Sequence, residues 1–196
     1  MTPSDGIAPL PLFPLTSVLL PGAATALRIF EPRYLDLVRD CGRNGSGFGV
    51  CLILEGSETG APALPAAVGT LAVIEDFDRG ADGLLVLRVR GERRFRVRHT
   101  RVRDNGLVVA DVTWLADDET VRPRPEHMLL AELLRRMLEH AVGDSVVRIP
   151  EHRFEDAAWV GWRLAELLPL AEPERQALLQ EDDIHARLQQ LLEHVA

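Results

Sequence analysis

The spacing of the apolar residues changes once along this chain, and that change constrains the fold more than any other feature. Up to about residue 120, apolar residues form short runs that alternate with polar residues or are broken by Gly and Pro, as in β-strands. Beyond residue 125 they recur every three or four positions, as in amphipathic helices. The Pro- and Arg-rich segment 121–125 lies between the two patterns. We therefore predict an α+β chain with a β-rich domain over 1–120 and a helical domain over 121–196.

Prolines divide the apolar stretch at residues 10–30 into pieces too short for a helix. We predict strands near 10–13 and 24–29, followed by a helix. Glu31 is placed at its N-cap and Pro32 at its first position, a preferred place for proline. An apolar stripe then runs along one face of this helix, formed by Tyr34, Leu35, Leu37, Val38 and Cys41.

Five more stretches are predicted to be strands in the β-rich half, making six or seven short strands in all. A loop rich in small residues is expected over Glu55–Ala67, and Asp104-Asn105-Gly106 is a strong hairpin signal. The predicted strands are 47–54, 68–74, 84–89 and a hairpin formed by 94–103 with 107–114.

The helical half contains recognisable helix starts. Asp156 and Asp183 precede apolar periodic segments and are typical N-caps, and Pro173 is predicted to begin a short helix. Trp159 and Trp162 lie three residues apart on one predicted helix. That spacing favours anchors in a core or interface over an exposed patch.

Composition limits the chemistry that this sequence can perform. All 22 basic side chains are arginine, so the sequence has no lysine for a phosphate-binding loop, a Schiff base or a Ser-Lys dyad. The net charge of −8 argues against broad coating of nucleic acid, and the 46% hydrophobic content is enough for a core. Without a signal peptide, a long apolar span or more than two cysteines, we expect a reduced, cytoplasmic protein with no membrane contact.

Catalytic and metal-binding patterns are weak. The six histidines form no His-Glu-x-x-His pair, and Cys41 and Cys51 are not spaced as a zinc clamp. Ser145, Asp144 and a histidine at 140 or 152 are the residue types of a catalytic triad. The sequence alone does not support this triad, because triads are defined by geometry. We predict no catalytic residue, metal or cofactor, and keep a hydrolase using Ser145 as the weakest hypothesis.

A basic stripe runs through the predicted strands between Arg88 and Arg103. Arg94, Arg96 and Arg98 alternate with Phe95 and Val97, which predicts one face toward the core and one toward solvent. We favour a solvated sheet face paired with nearby acids. The functional alternative is an anion-binding surface for RNA or an acidic peptide.

Several stretches together resemble a known family. The opening shows Leu10-Pro11-Leu12-Phe13-Pro14-Leu15, then Leu20-Pro21-Gly22, then Leu27-Arg28-Ile29-Phe30-Glu31-Pro32-Arg33-Tyr34. Later come Phe48-Gly49-Val50, Val68-Gly69-Thr70-Leu71-Ala72 and Gly91-Glu92-Arg93-Arg94-Phe95-Arg96-Val97, followed by the helical tail. These segments resemble the LON substrate-binding domain, the N-terminal domain of ATP-dependent Lon protease, over nearly the whole chain.

This resemblance implies a β-rich, PUA-like pseudo-barrel followed by a helical bundle. It also implies a non-catalytic module that recognises unfolded or exposed polypeptide, here as a stand-alone form linked to protein quality control through a protease or chaperone. The sequence leaves its oligomeric state open. Because PUA-like barrels of other families bind RNA, RNA binding through the basic stripe is the alternative function.

Within the resembling motif, we single out Phe30, Glu31, Arg33 and Tyr34 as candidate binding residues, and expect the loop Glu55–Ala67 to share their rim. For Glu31 and Arg33 a structural interpretation ranks higher. Glu31 would cap the helix, and Arg33 would pair with a carboxylate or with carbonyl groups of a neighbouring strand.

Overall fold

The protein, analysed as a computed structural model, is described over residues 7–142 and 149–195. The chain divides between Asp117 and Asp118 into two compact units. Within residues 7–117, the first unit holds seven strands and one helix: β1 (Ala8–Leu15), β2 (Ala24–Ile29), α1 (Pro32–Asn44), β3 (Phe48–Glu55), β4 (Leu64–Pro65), β5 (Val68–Arg79), β6 (Leu85–Val102) and β7 (Val108–Trp114).

Five of these strands close into a barrel. The hydrogen-bonded order β1-β7-β6-β5-β3 is completed by pairing of β3 with β1, which runs parallel with Leu12 opposite Gly49. The other four pairings of the ring are antiparallel. Strand β2 pairs with the N-terminal half of β6 outside the ring, and β4 pairs with β3.

The barrel interior is apolar, and two glycines make room for its largest side chain. A Cβ atom on Gly49 or Gly69 would lie 2.7 Å from Cζ of Phe95. Only glycine therefore allows these strands to approach the Phe95 ring. The buried residues of this cluster are Leu10, Leu12, Cys51, Phe95, Val108, Ala110 and Val112.

The structure changes three of the predicted boundaries. The segments 84–89 and 94–103 are not two strands but one 18-residue strand, β6, and β5 continues past Ile74 to Arg79. The loop Glu55–Ala67 contains the two-residue strand β4. The predicted hairpin at 104–106 is confirmed, with the N–H of Gly106 donating to the carbonyl of Arg103 at 2.8 Å.

The second unit is helical, with α2 (Met128–Val142), α3 (Ala157–Leu167), α4 (Glu172–Gln180) and α5 (Ile184–Val195). The predicted caps are confirmed. Asp156 accepts a hydrogen bond from the N–H of Ala158 at 3.1 Å, and Asp183 accepts from the N–H groups of His185 and Ala186. Strands followed by helices agree with the α+β prediction. Over the described ranges, no helix has the length and apolar character needed to cross a membrane.

Candidate functional site

A cavity of about 330 Å³ opens beside strand β2, and we call it the β2 cavity. Its volume lies at the lower end of the range for ligand pockets, roughly 300–1,000 Å³. It has room for a few side chains. The lining comes from β1, β2, the start of α1 and the loop after β3: Phe13, Leu15, Ser17, Thr25, Ala26, Leu27, Arg28, Phe30, Glu31, Tyr34, Glu58 and Thr59.

The start of α1 fixes one side of this cavity. Glu31 occupies the predicted N-cap in an extended conformation, and its carbonyl accepts hydrogen bonds from the N–H groups of Tyr34 and Leu35. The prediction that the Glu31 side chain caps the helix is wrong, because that side chain makes no cap hydrogen bond. Its carboxylate instead lies 3.0 Å from Nη2 of Arg33, since an ion pair with a guanidinium is the stronger contact.

Arg33 is buried and contacts three neighbours. Besides Glu31, its Nη1 donates to the carbonyl of Gly106 at 3.2 Å, and its guanidinium carbon lies 4.8 Å from the centre of the Tyr34 ring. These contacts join the start of α1 to the β6–β7 turn. They agree with the structural interpretation of Arg33. The Arg33 side chain holds Glu31 and Tyr34 in position beside the cavity.

Tyr34 forms part of the cavity floor. Its ring packs 4.1 Å, centre to centre, from Phe13 on the outer side of the barrel. Burial raises the pKa of the Tyr34 hydroxyl, Arg33 opposes this, and Glu31 and Glu58 add to it. The phenol therefore stays protonated at neutral pH and keeps a hydrogen-bond donor in an otherwise apolar floor.

Phe30 separates the β2 cavity from a second opening of about 550 Å³, which we call the Phe77 cavity. Phe30 is 53% exposed and Phe77 is 71% exposed, and both line this opening together with Leu35. Two exposed phenylalanines at the mouths of neighbouring cavities form an apolar surface of the kind that marks interaction sites.

The loop after β3 supplies the opposite wall of the β2 cavity. The Oε1 atom of Glu58 accepts hydrogen bonds from both the N–H and the hydroxyl of Thr16, each at 2.6 Å. This ties the loop to the end of β1. Phe30, Glu31 and Tyr34 thus meet two residues of the segment Glu55–Ala67 around one cavity.

Sequence reasoning did not identify two parts of this surface. Four consecutive residues of β2, from Thr25 to Arg28, line the β2 cavity, and Phe77 lines the other opening. The sequence does contain a signal for Phe77, which is the only apolar residue in the acidic run Glu75-Asp76-Phe77-Asp78. A phenylalanine flanked by carboxylates is not part of an apolar face that packs into a core, and it is therefore expected to be exposed.

The structure does not bring Arg94, Arg96 and Arg98 together as an open basic surface. Arg94 is buried opposite Thr70 of β5, so the prediction that it faces solvent is wrong. Arg96 is half-buried, and Arg98 is exposed and donates to the Thr113 hydroxyl at 3.1 Å.

Elsewhere in the stripe, ion pairs join Arg90 to Glu75, Arg93 to Asp117 and Arg101 to Asp111. This is the solvated, acid-paired face that we favoured, and RNA binding gains no support from it.

The two cysteines, which are the candidate nucleophiles within the described residues, do not form a reactive site. Cys41 and Cys51 are free and buried, and burial raises both thiol pKa values, that of Cys51 to about 12. Ser145 and Asp144 lie outside the described residues. Nδ1 of His140 lies 2.7 Å from the carbonyl of Arg136 within its own helix. In residues 7–142 and 149–195, no three His, Cys, Asp or Glu side chains are grouped to hold a metal ion.

Comparison with known proteins identifies the family. The family model for the ATP-dependent protease La (LON) substrate-binding domain matches residues 9–196. The fold is similar to the crystal structure of a Lon N-terminal domain protein from Xanthomonas campestris, with a TM-score of 0.82 and 61% identity over 95% of this chain and 98% of that one. It is also similar to the N-terminal domain of Mycobacterium avium complex Lon protease, with a TM-score of 0.67 and 19% identity over 95% of this chain and 97% of that one.

The match to a substrate-binding domain model places this β-barrel and helical chain in the class of binding domains. The chain belongs to the LON substrate-binding domain family, whose Lon N-terminal domains are non-catalytic modules for substrate recognition. The resemblance found in the sequence is therefore confirmed over nearly the full length.

Proposed function

We propose that this domain captures unfolded or exposed polypeptide segments on the surface formed by the β2 cavity and the Phe77 cavity. The observation that carries the proposal is the exposure of Phe30 and Phe77 beside cavities of about 330 and 550 Å³, which have room for apolar side chains. Folded proteins bury most of their large apolar side chains, so a surface of this kind selects chains that have not done so.

The domain acts in this proposal by binding and not by catalysis. Its thiols are buried with raised pKa values, and the polar groups of the β2 cavity are engaged in positioning contacts, as in the Glu31–Arg33 pair. The captured segment passes to a protease or chaperone of the cytoplasm. Free thiols at Cys41 and Cys51 suit a reducing compartment.

Binding of one protein in two states tests this function. Fluorescence anisotropy would compare labelled α-lactalbumin that is reduced and carboxymethylated, and so unfolded, with the same protein in its native form. We expect binding of the unfolded form alone. Equal binding of both forms, or of neither, would contradict the proposal.

Matched surface variants locate the binding. Phe30→Ser and Phe77→Ser are each expected to weaken capture of the unfolded form by about tenfold, because each removes an exposed aromatic anchor. Val102→Ser is the control, since Val102 is 55% exposed at the far end of β6 and lines neither cavity. An equal loss in all three variants would contradict this location, because any exposed apolar side chain replaced by serine would then weaken binding.

A further inference from the structure

The outer edge of β2 is an open template for another strand. Among the described strands, β2 pairs with β6 alone, in continuous antiparallel register from Ala24 opposite Arg90 to Ile29 opposite Leu85. The carbonyl of Ala23 accepts from the N–H of Gly91 at 2.9 Å, which points Ala23 toward β6.

Alternation along an antiparallel strand then fixes the direction of each later residue. Thr25, Leu27 and Ile29 direct their N–H and C=O groups toward β6. Ala24, Ala26 and Arg28 direct theirs away from β6, toward the outer edge. An extended chain placed there meets two or three pairs of main-chain donors and acceptors.

The outer edge also lies beside the β2 cavity. Residues Thr25 to Arg28 form one wall, and Glu58 with Thr59 forms the opposite wall. A strand in this space directs every second side chain to one face of the sheet. On the core side it meets Phe13, Leu27 and Tyr34, which are buried and largely apolar.

We propose that an extended polypeptide segment binds by adding a strand to the outer edge of β2, with alternate apolar side chains in the β2 cavity. This inference rests on the proposed function and names its binding mode. Main-chain hydrogen bonds to Ala26 and Arg28 supply affinity that is independent of sequence, and the cavity selects apolar residues. Such a mode accepts many unfolded chains and rejects segments with proline at the pairing positions.

Charge in the cavity refines the preferred segment. Arg28 is paired with Asp82 and Glu31 with Arg33, whereas Glu58 accepts neutral hydrogen bonds from Thr16. The Glu58 carboxylate therefore gives the cavity a net negative charge. The favoured occupant is an extended segment that carries a basic residue two positions from its apolar residue, so that both side chains lie on the cavity face.

Amide hydrogen exchange measured by NMR tests the binding mode directly. The probes are carboxymethylated α-lactalbumin and the blocked peptide Gly-Arg-Ser-Val-Thr-Leu-Thr-Val-Ser-Gly, whose Arg shares a face with its Val and Leu side chains. On binding, the amides of Ala26 and Arg28 should exchange at least about tenfold more slowly. Those of Thr25 and Leu27, already bonded to β6, should change little. A bound probe with unchanged exchange at Ala26 and Arg28 would overturn strand addition and leave capture intact, whereas absence of any binding would overturn both.

N-methylation of the peptide backbone provides a second test of strand addition that needs no variant of the protein. One analogue is N-methylated at alternate residues from Arg, and the other at alternate residues from the Ser that follows Arg. Only one set faces β2, so one analogue should lose roughly tenfold in affinity per hydrogen bond while the other binds normally. Equal affinity of both analogues and the parent peptide would contradict the mode.

A variant of Glu58 tests the preference of the β2 cavity for a basic residue. Glu58→Gln keeps an acceptor oxygen for Thr16 and removes the charge, and Glu55→Gln at the end of β3 is the control outside the cavity. Glu58→Gln should weaken the arginine peptide several-fold but not a version with threonine in place of arginine. A loss equal for both peptides would contradict the electrostatic part of the inference.

Discussion

Arg187 of α5 is completely buried and forms an ion pair with Asp118, with Nη1 2.8 Å from Oδ2. Its guanidinium carbon lies 3.7 Å from the centre of the Trp162 ring, and the Trp162 indole N–H donates to the same Asp118 oxygen at 2.7 Å. A third contact runs from Nη2 to the carbonyl of Glu181 at 2.8 Å. One arginine thus joins the first residues of the helical unit to α3 and α5.

Replacing Arg187 with Met should destabilise the helical unit by up to about 3–5 kcal/mol, because Asp118, whose side chain is only 13% exposed, loses its guanidinium partner. Urea denaturation followed by circular dichroism measures the change. Arg136→Met is the control, since Arg136 is exposed and pairs with Glu132 one turn away. It should cost no more than about 0.5 kcal/mol. Similar losses in both variants would contradict the structural role of Arg187.

Two glycines should respond to alanine in opposite directions. A Cβ on Gly69 would lie 2.4 Å from the carbonyl oxygen of Val50 and 2.6 Å from Sγ of Cys51. Gly69→Ala should therefore cost about 1–3 kcal/mol through overpacking of the barrel. Gly42 lies in α1 with no atom within 4 Å of its Cβ position, so Gly42→Ala should stabilise by about 0.5–1 kcal/mol. Thermal unfolding of both variants checks the signs.

The cysteines should be inert in the folded protein. Burial raises the pKa of the Cys51 thiol to about 12 and also raises that of Cys41, so little of either thiol is ionised at pH 8. We expect dithionitrobenzoate to label neither thiol within minutes under native conditions and both at once in guanidinium. Rapid native labelling of one thiol would show that the barrel or α1 opens locally.

His185 should make the helical unit sensitive to mild acid. Its ring stacks 5.9 Å from that of His127, and burial, Arg124 and His127 lower its pKa, against smaller opposing effects of Asp183 and Glu126. The unfolded chain takes up a proton near pH 6.5, whereas the folded protein does so only at lower pH. Stability is therefore highest above pH 6.5 and falls as the pH drops toward the folded pKa.

Two variants test this pH dependence by denaturation at a series of pH values between about 5 and 8. His185→Gln should flatten the dependence because it removes the titrating group. Arg124→Gln should flatten it partly, because loss of the neighbouring cation raises the pKa of His185 toward its ordinary value. Unchanged profiles in both variants would contradict this assignment.

The local parts of the fold were predictable from sequence for physical reasons. Proline placement located β1 and the start of α1, and the carboxylates of Asp156 and Asp183 marked helix starts that they do cap. The Asn105-Gly106 turn is equally local. Each of these signals depends only on residues that are close in the chain, so it can be recognised from the sequence alone.

The remaining features depend on partners distant in sequence. Gly91 and Glu92 interrupt the alternation of apolar and polar residues in β6, so the sequence wrongly predicts two strands there. The interruption is a β-bulge, and the pairing of β6 with β2 and β5 determines its position. Closure of the barrel by β1 and β3 is a long-range contact. Burial of Arg94 and Arg187 also runs against their usual exposure and has no periodic signal.

The candidate site was partly predictable in the same sense. The motif around Phe30 and Tyr34 identified one wall of the β2 cavity, and composition indicated the loop that carries Glu58. That the start of α1 and this loop line one cavity beside the open edge of β2 follows only from the tertiary fold.

The most direct test of the central claim is a map of NMR chemical-shift changes when carboxymethylated α-lactalbumin is added to the isotope-labelled protein. We predict the largest changes at Phe30, Tyr34 and Phe77, which line the two cavities. Leu129, 72% exposed on α2, provides a rival apolar surface. Binding that perturbs Leu129 and leaves Phe30 and Phe77 unchanged would contradict the account.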